Sequence, residues 1–307
     1  MQSIFRILLR MSMTGAALLL LAATPVRAQS LGDLVEQLGI QQLARDYLRP
    51  GVDAVGYTLN SGYAHTARVD TGFSVWAGAK VVTTFIPDAD RTFVAMLPPD
   101  LTGLGYPSRM VTATVVGDEG AVLRSSDPSQ PEIQLPGGTG LQQALLVMPQ
   151  LSIGSVLGTE VILRGIPPVT YDPEVGKVSF YGAGLKHELT HYFDTPFALA
   201  VVAGMQQFEI TDVIDGQGYA GMLLASVDAR MLTLFGGVGY EAYRIDVSYD
   251  PVPQAGVDPG PVTLEFQRRN LRFSFGGALT LLSLIDLTAE YSFGVQDNLT
   301  VGIGLTL

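Results

Sequence analysis

His187-Glu188-Leu189-Thr190-His191 is the stretch whose residue types and spacing could run a reaction. Two histidines one helical turn apart can share a zinc ion, and a glutamate beside the first can act as general base on the bound water. The chain has three histidines, and two of them sit here. That chemistry needs a helix to carry the pair. The preceding segment, 179–186, holds two glycines and reads as a strand, and Pro196 stops any helix within two turns. No Gly-x-x-His continuation follows, so a third ligand would have to be Glu209, Asp194 or the distant His65. A secreted zinc peptidase, with His187 and His191 as ligands and Glu188 as base, is the minor reading. The segment is expected to connect two strands, and no cofactor is called for.

Charged pairs elsewhere are expected to be structural. Asp286 and Glu290 fall on one face of a strand pattern, but four residues along a strand separates their backbones by roughly 13 Å. Arg272 belongs to the same set, and Glu160 and Arg164 share a face in the same way. Asn298-Leu299-Thr300 matches a glycosylation acceptor but reads more simply as a turn into the last strand.

The elements that would position these groups are strands. Leu271, Phe273, Phe275, Gly277 and Leu279 alternate with Arg272, Ser274, Gly276, Ala278 and Thr280. Ile285, Leu287, Ala289, Tyr291 and Phe293 alternate with Asp286, Thr288, Glu290, Ser292 and Gly294. Leu299, Val301, Ile303, Leu305 and Leu307 complete the series against Thr300, Gly302, Gly304 and Thr306. Period two over segments of about ten residues suits strands that cross a bilayer at a tilt, apolar side outward. The expected fold is an all-β, antiparallel, up-and-down transmembrane barrel. Charged and polar groups, with Trp76, Lys80, Glu160, Arg164, Arg272, Asp286 and Glu290 as the candidates, would line its lumen.

Composition agrees. Charged residues make up 15%, glycines number 35, mean hydropathy is +0.30, and no second run of about twenty apolar residues exists. Arg6 and Arg10, the apolar run through Ala16–Ala23, and Val26-Arg27-Ala28 have the layout of a secretory signal cleaved after Ala28. Of 18 basic residues, three lie in that leader, leaving 15 against 29 acidic ones, a net charge of −14. Such an acidic chain is ill suited to nucleic acid. Without cysteine it has neither disulfides nor thiolate metal sites.

Taken in order, residues 29–51 hold an amphipathic helix over 31–48, ended by Pro50-Gly51. It would pack on the periplasmic end or plug the barrel mouth. Residues 52–307 would form the barrel, beginning with a hairpin over 55–68 and 72–86 and interrupted by a long external loop at about 87–143. Strands follow from 145 onward. Short connections at 155–157, 228–230 and 281–284 oppose long ones at 166–176 and 250–261. The preferred count is about twelve strands, with 110–116 as the twelfth. Ten results if 55–68 lies in the lumen instead, and fourteen is the upper alternative.

The last eight residues, with Thr300, Gly302, Leu305 and Leu307, resemble the C-terminal assembly signal of bacterial outer-membrane proteins. Leu59-Asn60-Ser61-Gly62-Tyr63, Gly72-Phe73, Pro87-Asp88-Ala89-Asp90, Met148-Pro149-Gln150-Leu151 and Gly184-Leu185-Lys186-His187 resemble an uncharacterised family of outer-membrane barrels from Bacteroidota-like bacteria. That family is distantly similar in layout to the long-chain fatty-acid transporters. The resemblance implies an outer-membrane location, with membrane lipid and the barrel assembly machinery as partners. It also implies a channel or transporter for small, possibly hydrophobic, solutes. A structural or adhesive barrel without transport is the alternative.

Overall fold

A computed structural model describes residues 41–63, 65–172, 176–211, 213–249 and 262–307. The leader, the first part of the expected helix (31–40) and the loop at 250–261 lie outside the described residues.

Ten strands close into one antiparallel barrel: β1 (Ser74–Phe85), β6 (Gln143–Val156), β7 (Thr159–Asp172), β8 (Gly176–Glu188), β9 (Ala198–Ile210), β10 (Ile214–Ala229), β11 (Leu232–Tyr249), β12 (Val262–Leu281), β13 (Ile285–Phe293) and β14 (Asn298–Thr306). Neighbours in sequence are neighbours in space, and β1 completes the circle by pairing with β14 on one side and β6 on the other. The preferred count of twelve is corrected to ten.

Two segments account for the difference. Residues 109–113 do form a strand, β3 (Arg109–Ala113), but it pairs with β2 (Thr92–Met96) in a cap outside the barrel. The cap also holds a short helix, α2 (Pro99–Gly103), and the two-residue ribbon β4 (Val122–Leu123) and β5 (Ile133–Gln134). The expected strand over 55–68 is not a strand. Helix α1 (Gln41–Leu59) runs through its first part, and irregular chain follows. Pro50 does not end α1 but lies buried within it. Lacking an N–H, it loosens the helical ladder at that turn, and the neighbouring carbonyl of Tyr47 accepts the N–H of Val115 from the cap at 2.9 Å. The expected long connection at 166–176 is corrected too, since β7 continues to Asp172 and β8 begins at Gly176.

The pleat sends alternate side chains to opposite faces. Phe273 is 57% and Ile303 56% exposed, whereas Arg272 and Glu290 are each 4% exposed. Apolar groups therefore look out and charged groups look in. Along β9 to β12 this sense reverses before the strands reach the cap. The outward set on β9 passes from Val201, Ala203 and Met205 to Gln207 and Glu209. On β12 it passes from Phe275, Phe273 and Leu271 to Arg269 and Gln267. The inward set changes the opposite way, so that Tyr243, Ile245, Leu264 and Phe266 form a core against Ala44, Val52 and Tyr57 of α1. Half-exposed Tyr181, Tyr219 and Tyr240 stand where the sense changes. From Tyr219 to the end of β10 is about ten residues, roughly 25 Å of height for a tilted strand.

Truncating Phe266 empties the core beneath the protruding part of β12. Phe266→Ala is expected to cost about 3–5 kcal/mol, measured as a lowered urea midpoint in detergent, with faster proteolysis of α1 in the folded protein.

Candidate luminal site

The lumen is occupied by the chain's own N-terminal part. After α1 the chain continues through Asn60, Ser61, Gly62 and Tyr63 and reaches Val69 before β1 begins. Gly62 adopts φ +77°, in the left-handed region that glycine tolerates. Irregular backbone inside a barrel has no ladder to satisfy its carbonyls, so side chains must do so.

Four cations on the wall meet that need, three on the irregular chain and one on a carbonyl in the last turn of α1. Arg272 Nη2 donates to the Tyr57 carbonyl at 3.2 Å, and Arg164 Nη1 to Ser61 at 2.9 Å. Lys80 Nζ donates to Gly62 at 2.7 Å, and Lys186 Nζ to Thr66 at 3.3 Å. At the far end Glu188 accepts the N–H of Val69 at 2.7 Å. Such charge-assisted bonds are stronger than neutral ones, and they recur from one end of the segment to the other.

Each cation is also balanced by acid or ring. Arg272 pairs with Glu241 at 2.7 Å, and Lys186 with Glu160 at 2.7 Å. The Arg164 guanidinium lies 3.6 Å from the ring centre of Tyr63. That ring fills the space over Gly204, where a Cβ would come within 2.3 Å of it. Asn60 joins the network by donating to the Ala242 carbonyl and accepting from Gln206.

All seven residues singled out from the sequence as luminal are buried. Lys80, Arg164 and Arg272 hold the segment directly, and Glu160 acts through Lys186. Glu290 accepts from Ser292 at 3.1 Å on the wall. Asp286 accepts from Thr280 at 2.6 Å, and Thr306 also donates to it. Asp286 and Glu290 serve different neighbours. Trp76 stacks on His65 with ring centres 5.7 Å apart. Thr300, Gly302, Leu305 and Leu307, expected from the sequence to resemble an assembly signal, lie in or just beyond β14, with Thr300 buried and Leu305 and Leu307 exposed.

The lumen is not polar all round. Tyr63 and Ala67 pack against Ile162, Ala198, Ala200, Val202, Leu224 and Phe235, an apolar sector carried mainly by β9 to β11. Sequence reasoning missed the residues of the threaded segment because alternation over 60–68 fits an irregular chain between a polar and an apolar wall as well as a strand, and 55–59, which read the same way, belong to α1. Asn60-Ser61-Gly62, a turn-prone run beside the helical stripe, was the available signal.

The zinc arrangement is not built. His187 and Glu188 end β8 on opposite faces, the histidine exposed with Nδ1 2.9 Å from the Thr159 hydroxyl, the glutamate buried on Val69. His191 follows in a turn, its Nδ1 3.6 Å from Glu188. Third-ligand candidates are scattered: His65 stacks on Trp76, and Glu209 looks outward on β9. Among the described residues no group of three or more His, Cys, Asp or Glu could hold a metal.

Near the cap, Asp53 of α1 accepts from the Tyr243 hydroxyl and lies 3.5 Å from Arg268. Burial pushes its carboxyl above the usual range, while Tyr243 and Arg268 act the other way. Burial likewise pushes the Tyr47 hydroxyl up to about 12, and that hydroxyl donates to the Gly137 carbonyl at 2.7 Å.

Residues 1–307 match the family of unknown function DUF6588, and the chain belongs to that family. No curated protein matches the chain in sequence. Among solved structures, the attachment invasion locus protein Ail of Yersinia pestis overlaps at TM-score 0.31 and 10% identity, covering 78% of this chain and 100% of its own. A loop-deletion mutant of OmpT, an outer membrane protein of Vibrio cholerae, gives 0.28 and 11%, with 78% and 100% covered. The translocator domain of the autotransporter NalP of Neisseria meningitidis gives 0.28 and 13%, with 86% and 99% covered. Scores this low carry nothing about function.

Removing one partner of a buried pair strands the other charge. Arg272→Met is expected to cost about 3–5 kcal/mol and to free α1 for proteolysis. Adding Glu241→Leu should recover most of that loss. Urea unfolding of the two variants side by side checks both expectations.

Proposed function

We propose that this DUF6588 protein is an outer-membrane barrel closed at rest by its own N-terminal segment, and that it passes small solutes when the segment yields. The membrane part of the reading is supported by the reversal of sense along the strands. A wall that is apolar outside for about ten residues, tyrosine-rimmed, and polar outside beyond that rim fits a bilayer of finite thickness. Membrane lipid would cover the apolar band. The β14 stretch with Thr300, Gly302, Leu305 and Leu307 would be read by the barrel assembly machinery.

The transport part is supported by how the lumen is filled. One observation carries it: the threaded segment is held to the wall by Lys80, Arg164, Lys186 and Arg272 through hydrogen bonds to its carbonyls. These are single side-chain bonds, neither covalent links nor a continuous ladder, and water admitted to the lumen could take them over, so the segment is separable from the wall. With it displaced, the lumen has a charged side and an aliphatic side on β9 to β11. That suits a small solute with a hydrophobic part and a polar end.

A second reading, a structural or adhesive barrel without transport, draws on the same lumen, because the described part of the segment lies buried in it between Arg164, Lys80 and Val202. Conductance separates the two. In planar bilayers the full-length protein is expected to be silent, and a variant lacking residues 41–69 to conduct steadily. A deletion variant that keeps heat-modifiable migration yet stays silent would support the structural barrel.

The membrane assignment has its own test. Ile303→Arg puts a charge on the outward face of β14 and is expected to cost about 2–4 kcal/mol in lipid. Refolding titrations into vesicles would reveal it, and an unchanged midpoint would count against the bilayer.

A further inference from the structure

The two ends of the barrel are unlike, and α1 enters from the less expected one. At one end lie the start of β1, the end of β14, the turns at 157–158, 230–231 and 282–284, and one longer loop at 189–197. Leu157, Met231 and Leu282 at these turns are exposed and apolar. At the other end β1 passes into the cap over 86–142, and β9 to β12 extend past the tyrosine rim with polar outer faces.

The first turns of α1 belong to the cap end. Leu43 packs with Leu97, Tyr106, Leu123 and Leu135 of the cap. The Tyr47 hydroxyl and carbonyl both bond cap backbone. From there the chain descends past Ser61 and Gly62 at mid-wall to Val69, held by Glu188 at the turn end.

Outer-membrane barrels keep short turns on the periplasmic side and long connections outside. Short apolar turns fit the inner headgroup region, whereas a cap and a water-facing collar need aqueous room. Resting on the outer-membrane reading above, we infer that the N-terminal end of α1 faces the cell exterior and that the chain runs down the pore from outside to periplasm before its first strand. The expectation of a helix on the periplasmic end is thereby reversed. The plug's accessible handle lies beneath the cap, where an external ligand can reach it and a periplasmic protein cannot.

The chain has no cysteine, so single cysteines report position cleanly. Gln42→Cys marks the exposed first turn of α1, Ser129→Cys the cap, and Asp194→Cys the loop at the turn end. Each full-length variant is treated in intact cells with a membrane-impermeant maleimide, before and after permeabilising the outer membrane. Gln42→Cys and Ser129→Cys are expected to label fully in intact cells, and Asp194→Cys only after permeabilisation. The reverse pattern, or labelling of Ser129→Cys without Gln42→Cys, overturns the inference. A chain recovered in the soluble fraction, or three positions labelling alike in intact cells, instead overturns the outer-membrane reading on which it rests.

Discussion

A stretch of irregular backbone crossing a barrel interior carries carbonyls that neither water nor a neighbouring strand can reach. Leaving such a group unpaired costs about 1–3 kcal/mol. Here the wall answers with side chains long enough to span the gap and charged enough to bond firmly. Arg272, Arg164, Lys80 and Lys186 project from β12, β7, β1 and β8 toward one thread of chain. Charging the wall creates a second problem, the burial of cations, and Glu241 and Glu160 offset it. The ion pairs are thus secondary to the carbonyls. Aromatic residues complete the fit where the facing element is cut down to glycine, as with Tyr63 of the thread over Gly204 of the wall and Tyr243 of the wall over Gly56 of α1.

The same constraint explains the apolar sector. A thread satisfied on one side by charges needs an opposite face to lie against, and Ala198, Ala200, Val202 and Leu224 provide it. Nearer the cap the requirement eases because α1 satisfies most of its own backbone, and the lumen there is lined by Tyr243, Ile245, Leu264 and Phe266, with Asp53 bonded to Tyr243 and Arg268 among them. Helix and aliphatic wall coincide, as do irregular chain and charged wall. Secondary structure inside therefore dictates residue type on the strands around it.

Much of this was readable from the chain. Alternation in 271–307 and 72–86 assigned the correct faces to Phe273, Arg272, Glu290, Trp76 and Lys80, because a pleat admits one partition only. The long insertion at 87–143 was recognised from its turn residues. What escaped shares a cause: local pattern does not say what lies across from it. Residues 55–68 alternate in sequence, yet 55–59 close the helix α1 and only the chain beyond Asn60 threads between unlike walls. Pro50 reads as a stop because the Val115 N–H that bonds the nearby Tyr47 carbonyl comes from the cap, distant in sequence. His187 and His191 have helical spacing on a chain that is extended at the first and turning at the second.

The placement of β1 bears on how the molecule comes to be. Its edges join β14 and β6, the last and second strands of the circle, and Val75 exchanges backbone bonds with Leu307. Helix α1 is tethered to β1 through the thread, and its N-terminal end is docked at the opposite mouth. A cylinder sealed beforehand would have to draw that helix and its docking face through a filled bore. A sheet that curls around a rod already lying in place, and shuts at the β1–β14 seam, avoids that passage.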